Sequence, residues 1–235
     1  MIKCKVLGSG SKGNCVYINV NGEHMLLDAG LSLKRIKAGL APVLTEDINI
    51  ICITHQHNDH IRSLKGLQKR NSRLKIITKE TINNDKQYKI IPFTADHDVP
   101  CLNFRINDLK HNNSLLYITD TGTIFCDSLK YLVKPANIII CEMNHDIDLL
   151  LKNNKYADEL KIRIGETHLS NDQTVDLLSL ICTDKLEYFI AFHLSEQNNS
   201  PAYAEYEAKT AIEQIAPGCK IIIAEQNEPT GMMFV

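Results

Sequence analysis

The 235-residue chain predicts an α/β fold in which two β-sheets share one core and helices cover them. Three observations carry this expectation. Short apolar, β-branched runs recur along the whole chain, helical stretches interrupt them in both halves, and no Ser/Pro/Gly-rich linker divides the sequence. With 44% hydrophobic and 23% charged residues the composition is that of an ordinary globular protein, neither disordered nor fibrous. The length suits one large domain, taken as residues 1–235.

The strand candidates, in order, are IKCKVLG (2–8), CVYINV (15–20), HMLLDAG (24–30), INIICIT (48–54), LKIIT (74–78), YKIIPF (88–93), LNFRI (102–106), LLYITD (115–120), ANIIICE (136–142), LEYFIAF (186–192) and CKIIIAE (219–225). Helices are predicted over 31–40, after an AGLS turn, and over 61–70, after a histidine cluster. A third spans 171–182, where Ser170 and Gln173 have the S-x-x-Q spacing of a capping box. A fourth spans 201–215, with Pro201 at its first position behind Ser200.

Charge and cysteine usage exclude several classes. Lys+Arg 26 against Asp+Glu 28 argues against coating nucleic acid by bulk charge and leaves a local basic groove open. The eight cysteines include no C-x-x-C pair, and most lie in apolar runs, as Cys52 and Cys141 do. They read as buried free thiols of a reducing cytoplasm. The N-terminus lacks the pattern of a secretory signal, and no run reaches the roughly 18 apolar residues of a membrane span. A cytoplasmic protein without a membrane partner is expected.

The strongest chemical signal is Thr54-His55-Gln56-His57-Asn58-Asp59-His60, directly after the strand INIICI. Imidazole nitrogen and carboxylate oxygen are ligands that Zn²⁺ and neighbouring divalent ions accept. His55 and His57 lie on one side of an extended segment, while Asp59 and His60 can face a second centre.

This H-x-H-x-D-H string resembles the signature of the metallo-β-lactamase fold superfamily. Asp28 in LLDAG, His97 in TADHD, Asp120 in YITDTG and His193 in IAFHLS resemble its further motifs in order. The resemblance implies an αββα sandwich of two mixed β-sheets flanked by helices. It also implies two divalent ions, Zn²⁺ or Mn²⁺, one on His55, His57 and His97, the other on Asp59, His60 and His193, with Asp120 bridging and Asp28 orienting the metal loop. A narrower likeness rests on VLGSGSKGN (6–14), DTG, CEMNHD (141–146), HLSN (168–171) and HLSEQNNSP (193–201). Together these resemble the YycJ (WalJ) group, bacterial proteins regarded as 5′-to-3′ DNA exonucleases, although Thr167 stands where the group usually has Gly.

The resemblance implies a metal-dependent phosphodiesterase acting on nucleic acid, DNA ahead of RNA, and a two-metal site suits this because it can clamp both oxygens of an in-line displacement. RNA processing, a small phosphodiester and, further off, thioester or lactam hydrolysis are the alternatives. Asp59, Glu142 and His168 are the catalytic candidates. Glu142 and His168 resemble the Glu–His pair that ribonuclease Z-type enzymes use near the leaving group, with His168 as proton donor to the 3′ oxygen. The loop Gly8–Asn14 lies between strands, so it is no P-loop. It reads as a tight turn approaching the metal loop, from which Lys12 or Asn14 can touch a phosphate. Asn198 and Asn199 either cap the following helix or bind substrate. The acid-free stretch 61–75, with LKRIK (33–37), is either a phosphate-tracking rim or a solvated helix face. His24 and His111 read as surface residues and His145 as a neighbour of the ligands.

Overall fold

The computed structural model describes residues 1–235. Strand alternation decides the layers. In β1 (Ile2–Gly8), Ile2, Cys4 and Val6 enter the core between the sheets and the lysines between them do not. With β2 (Cys15–Val20), β3 (Glu23–Leu27), β4 (Ile50–Cys52), β5 (Lys75–Ile77) and, at the other edge, β13 (Met233–Phe234), it forms a six-stranded sheet in the order β13-β1-β2-β3-β4-β5. Pairing is antiparallel as far as β3 and parallel from β3 to β5.

The second sheet holds β6 (Asn83–Asn84), β7 (Tyr88–Ala95), β8 (Cys101–Asp108), β9 (Asn113–Ile118), β10 (Ile138–Glu142), β11 (Tyr188–Phe192) and β12 (Lys220–Ile223), in reverse order from β12 to β6. It is parallel from β9 to β12 and antiparallel from β9 to β6. β10 and β11 are buried on both faces: Ile138, Ile140, Ile190 and Phe192 face the first sheet, while Ile139, Cys141, Phe189 and Ala191 face helices. That is why these two strands read as unbroken apolar runs.

Helices cover both outer faces. α1 (Leu33–Leu40) and α3 (Leu64–Arg70) pack Ile36, Leu40 and Leu67 on the first sheet, beside the single turn α2 (Asn58–Ile61). α4 (Cys126–Leu132), α7 (Asn171–Ile181) and α8 (Pro201–Ile212) pack Leu132, Leu178, Ala204 and Ala208 on the second. α5 (Ile147–Lys152) and α6 (Asp158–Thr167) complete the set. The layers are the expected αββα sandwich, and the Ser170–Gln173 capping box closes reciprocally.

All eleven expected strands are present, and β6 and β13 are two further two-residue edges that were not expected. The helix expected over 61–70 is broken, because Ser63 leaves the helical ladder: its N–H goes to Ala29 O (2.9 Å) and its hydroxyl to Leu31 O (2.6 Å). α4, α5 and α6 were not expected. α4 begins at Phe125 without a side-chain cap, and α6 buries only Thr167, so neither shows an apolar stripe at helical spacing. The reading of the cysteines as core thiols holds for Cys4, Cys15, Cys52, Cys101 and Cys141. It fails for exposed Cys126 and half-buried Cys182 and Cys219, although all eight are free. No helix is long and apolar enough to cross a membrane.

Candidate metal centre

Five strands deliver polar residues to one end of the sandwich: Asp28 after β3, His55 after β4, Asp120 after β9, Glu142 closing β10 and His193 after β11. Asp28, Asp120 and His193 have φ of 59°, 52° and 55°, the left-handed region that side chains other than Gly seldom occupy. The chain must reverse there while aiming a side chain at the centre. The glycines of the DAG and DTG motifs serve close approach instead. A Cβ on Gly30 would lie 1.5 Å from the Asp59 carbonyl oxygen, and one on Gly122 would lie 1.7 Å from that of Glu166.

The structure brings all seven expected donors together. Donor atoms of His55, His57 and His97 lie within 4.8 Å of one another, as do those of Asp59, His60 and His193. Asp120 lies between the groups, with Oδ2 3.4 Å from His60 Nε2 and Oδ1 3.7 Å from both His193 Nδ1 and His168 Nδ1. His55 Nε2 and His57 Nδ1 approach to 2.8 Å. Nε2 of His97 and of His193 are buried and have no hydrogen-bond partner. Two orphaned imidazole nitrogens among carboxylates fit a divalent cation, which accepts what no nearby donor can satisfy.

Asp28 anchors this loop. It is fully buried and accepts from Thr54 N (2.9 Å), Thr54 Oγ1 (3.0 Å), His60 Nδ1 (2.8 Å) and Tyr117 OH (2.9 Å). His60 Nε2 is thereby left to face the centre. His97 is held likewise by its Nδ1 against Thr167 O at 3.1 Å, and His193 by Asn144, whose amide donates to its carbonyl at 2.9 Å.

Burial and charge compete at every member. Burial opposes a proton on His60, but Asp120 and Asp28 outweigh it and hold its pKa well above the ordinary histidine value. At His193 burial is likewise outweighed, by Asp120 and Glu142, and the shift is upward. At His55 burial, with the neighbouring His60, outweighs Asp120 and drives the pKa down to about 3. Burial favours the neutral form of Asp120, yet His193, His60 and His168 keep it well below the usual carboxylate range.

Glu142 is fully buried, with Oε1 accepting from Thr121 N (2.8 Å) and Leu169 N (3.3 Å) and Oε2 lying 3.1 Å from His168 Nδ1. His168 ends α6, and its ring stands between those of His97 and His193, with centroids 5.4 and 5.1 Å away. Asn14 reaches the centre. Its Oδ1 accepts from Gly10 N at 2.8 Å, which turns Nδ2 toward His60 Nε2 (3.0 Å) and Asp59 Oδ2 (3.4 Å). The glycine loop therefore approaches the metal loop as expected. Lys12 does not: it is exposed and pairs with Glu196.

Other expectations need correcting. Asn198 and Asn199 neither cap α8 by their side chains nor face the centre. Asn199 donates to Met143 O (2.7 Å) and Asn198 accepts from Asn153 (2.6 Å), clamping two loops. His24 is half-buried within β3 against Tyr17 OH (2.7 Å), whereas His111 is exposed as expected. His145 is buried and touches no donor of the centre; its neighbour Asn144 supports His193. Asn144, Tyr117 and the Thr167 carbonyl have no signal in the sequence. A tyrosine in LLYITD looks like core, and a carbonyl contact is independent of side-chain identity.

The metallo-beta-lactamase superfamily model matches residues 8–129. The exodeoxyribonuclease YycJ of Bacillus anthracis is 28% identical over 98% of this chain and 98% of its own. The exodeoxyribonuclease WalJ of Streptococcus pneumoniae is 28% identical over 91% of this chain and 88% of its own. Among solved structures, the metallo-beta-lactamase fold protein YhfI of Bacillus subtilis aligns with a TM-score of 0.71 at 16% identity. It covers 98% of this chain and 100% of that one.

Proposed function

The chain belongs to the metallo-beta-lactamase superfamily and is a metal-dependent hydrolase; we propose that it is a dinuclear phosphodiesterase acting on nucleic acid, as a 5′-to-3′ DNA exonuclease. The observation behind this reading is the buried Glu142–His168 pair set beside two clustered groups of donors. In the proposal His55, His57 and His97 hold one divalent ion, and Asp59, His60 and His193 hold the other. Asp120, which lies between the two groups, would be shared by both ions. Zn²⁺ and Mn²⁺ both suit five imidazoles and two carboxylates. Such a pair, when bound, supplies Lewis-acid polarisation of phosphoryl oxygens.

The chain's own residues do the rest. Glu142, its Oε1 fixed by two backbone N–H groups, accepts the His168 Nδ1 proton on Oε2 and leaves Nε2 as the free ring nitrogen. His168 gives the Nε2 proton to the departing 3′ oxygen. Glu142 Oε2 and Asp120 Oδ1 lie 3.1 and 3.7 Å from Nδ1. Asn14 Nδ2 serves as a fixed donor beside Asp59, available to a phosphoryl oxygen. The names and near full-length match of the relatives support DNA as the substrate.

The test is incubation of protein loaded with Zn²⁺ or Mn²⁺ with a labelled DNA duplex, the matched RNA and a chromogenic diester. Stepwise loss of nucleotides from the DNA 5′ end is expected. Faster RNA turnover moves the reading to RNA processing, and no turnover of any substrate with either metal overturns it.

A further inference from the structure

Charge is unevenly laid down along this chain. Residues 31–40 and 61–75 hold nine of its 26 cations and no acid, so the other 210 residues carry 17 cations against 28 acids. The near-neutral total hides a strongly basic region on an otherwise acidic molecule.

The fold joins the two segments into one face. Ser63 bonds back to Ala29 and Leu31, and Leu33 of α1 lies against Gly66 of α3, where a Cβ would meet its Cδ2 at 3.4 Å. The undersides of both helices, Ile36, Leu40 and Leu67, share one apolar cluster. Both start at the candidate metal centre: α2 contains Asp59 and His60, and α1 follows shortly after Asp28. Lys34 and Lys37 are three apart on α1, Lys65 and Lys69 four apart on α3, so each pair shares a helix face.

Elsewhere some surface cations pair with acids, as Lys12 does with Glu196, Lys152 with Asp148 and Arg163 with Asp98. Unpaired ones such as Lys110, Lys155 and Lys185 lie in segments that also carry acids, among them Asp108, Asp158, Asp184 and Glu187. On this face Arg35 is taken by the Gln226 carbonyl and Arg70 by Glu46. Lys34, Lys37, Arg62, Lys65 and Lys69 are exposed, and their side chains have neither a hydrogen bond nor an ion pair. Like charges held on rigid helices repel, and nothing inside the protein offsets that. A polyanion with closely spaced charges does.

We propose that the α1–α3 face is the track for the phosphate backbone of duplex DNA running away from the scissile bond. This rests on the nucleic-acid reading of the centre, and its test separates the two. In the triple variant Lys34→Gln/Lys65→Gln/Lys69→Gln, affinity for a fluorescent, phosphorothioate-protected duplex is measured by anisotropy against salt, with metal-loaded protein. A loss of at least ~10-fold in affinity is expected near 0.1 M salt. The slope of log K against log salt should fall by about 2–3, at roughly 0.9 per phosphate contact. Turnover of a small chromogenic diester, too short to reach either helix, should stay within about 2-fold of the parent and so report an intact centre. A control triple at other exposed lysines, Lys110→Gln/Lys155→Gln/Lys185→Gln, should leave affinity and slope in place.

Unchanged affinity and slope in the first variant, or an equal loss in the control, overturn the proposal. A parent that binds duplex through this face without cutting it sustains the track and overturns the exonuclease reading. A parent that cuts duplex while the variant binds unchanged does the reverse.

Discussion

Replacing His168 by Ala should separate substrates by their leaving groups. His168 is joined at 3.1 Å to a buried carboxylate that two backbone N–H groups hold in place. In the proposed mechanism its free Nε2 delivers a proton to the leaving group. A positioned general acid is worth on the order of 10²–10⁴-fold in rate, or about 2.7–5.4 kcal/mol of barrier at 1.36 kcal/mol per tenfold. An alkoxide leaving from DNA needs that proton, whereas a nitrophenolate leaves without it. His168→Ala should therefore lose about 10²–10⁴ in kcat on DNA and under about tenfold on a bis-nitrophenyl diester. Its metal content should be unchanged. Glu142→Gln should behave almost as badly on DNA. The Gln oxygen is claimed by the Thr121 and Leu169 N–H groups, so its NH₂ faces Nδ1 and imposes the neutral tautomer. The double variant should lose no more than the worse single one, because the two act as a unit. Single-turnover assays on both substrates, with metal analysis of each variant, check this. An equal loss on both substrates, or strict additivity, would refute the proton-donor role.

Three further outcomes follow from other sites. Asp28→Asn forces an amide N–H₂ onto one of four donors, among them His60 Nδ1 at 2.8 Å; metal affinity, followed by competition with a chelator, should fall roughly 10–100-fold. Arg105 is buried, and its five N–H groups meet Asn107, Ser114 and the carbonyls of Tyr131, Lys134 and Pro135. Arg105→Met strands those acceptors and should cost about 3–5 kcal/mol, a drop of roughly 6–20 °C in calorimetric Tm, with diester KM unchanged at low temperature. Burial holds His145 neutral and lowers its pKa to about 4. Below about pH 6.5 the unfolded chain takes up a proton that the folded chain refuses, so stability falls as pH drops toward 4. His145→Gln should remove about 2 kcal/mol of the stability difference between pH 7 and pH 5 in urea titrations.

Much of this centre is legible in the sequence because its polar residues interrupt apolar strands. Asp28, His55, Asp120, Glu142 and His193 each stand at the end of a run such as INIICI or IIICE, where burial on both sides makes a charged residue conspicuous. What supports them is hidden. Tyr117 is indistinguishable from a core aromatic until the second sheet closes over the first and carries its hydroxyl to Asp28. His24 looks peripheral until Tyr17 on the neighbouring strand is paired with it. α6 escapes notice for a different reason. Nearly all of it is exposed, Leu160 and Ile162 included, so no periodic apolar face marks it, although its last residue fixes His97.

The left-handed backbone at Asp28, Asp120 and His193 has a consequence for anyone who would engineer this protein. Asp and His tolerate that region better than most residues, yet each such position still carries strain on the order of 1–3 kcal/mol. Glycine would relieve it at all three. Directed evolution scored on expression or heat tolerance alone would be pulled toward glycine at positions 28, 120 and 193. Its winners would be sturdier sandwiches with nothing left at the mouth to hydrolyse a bond.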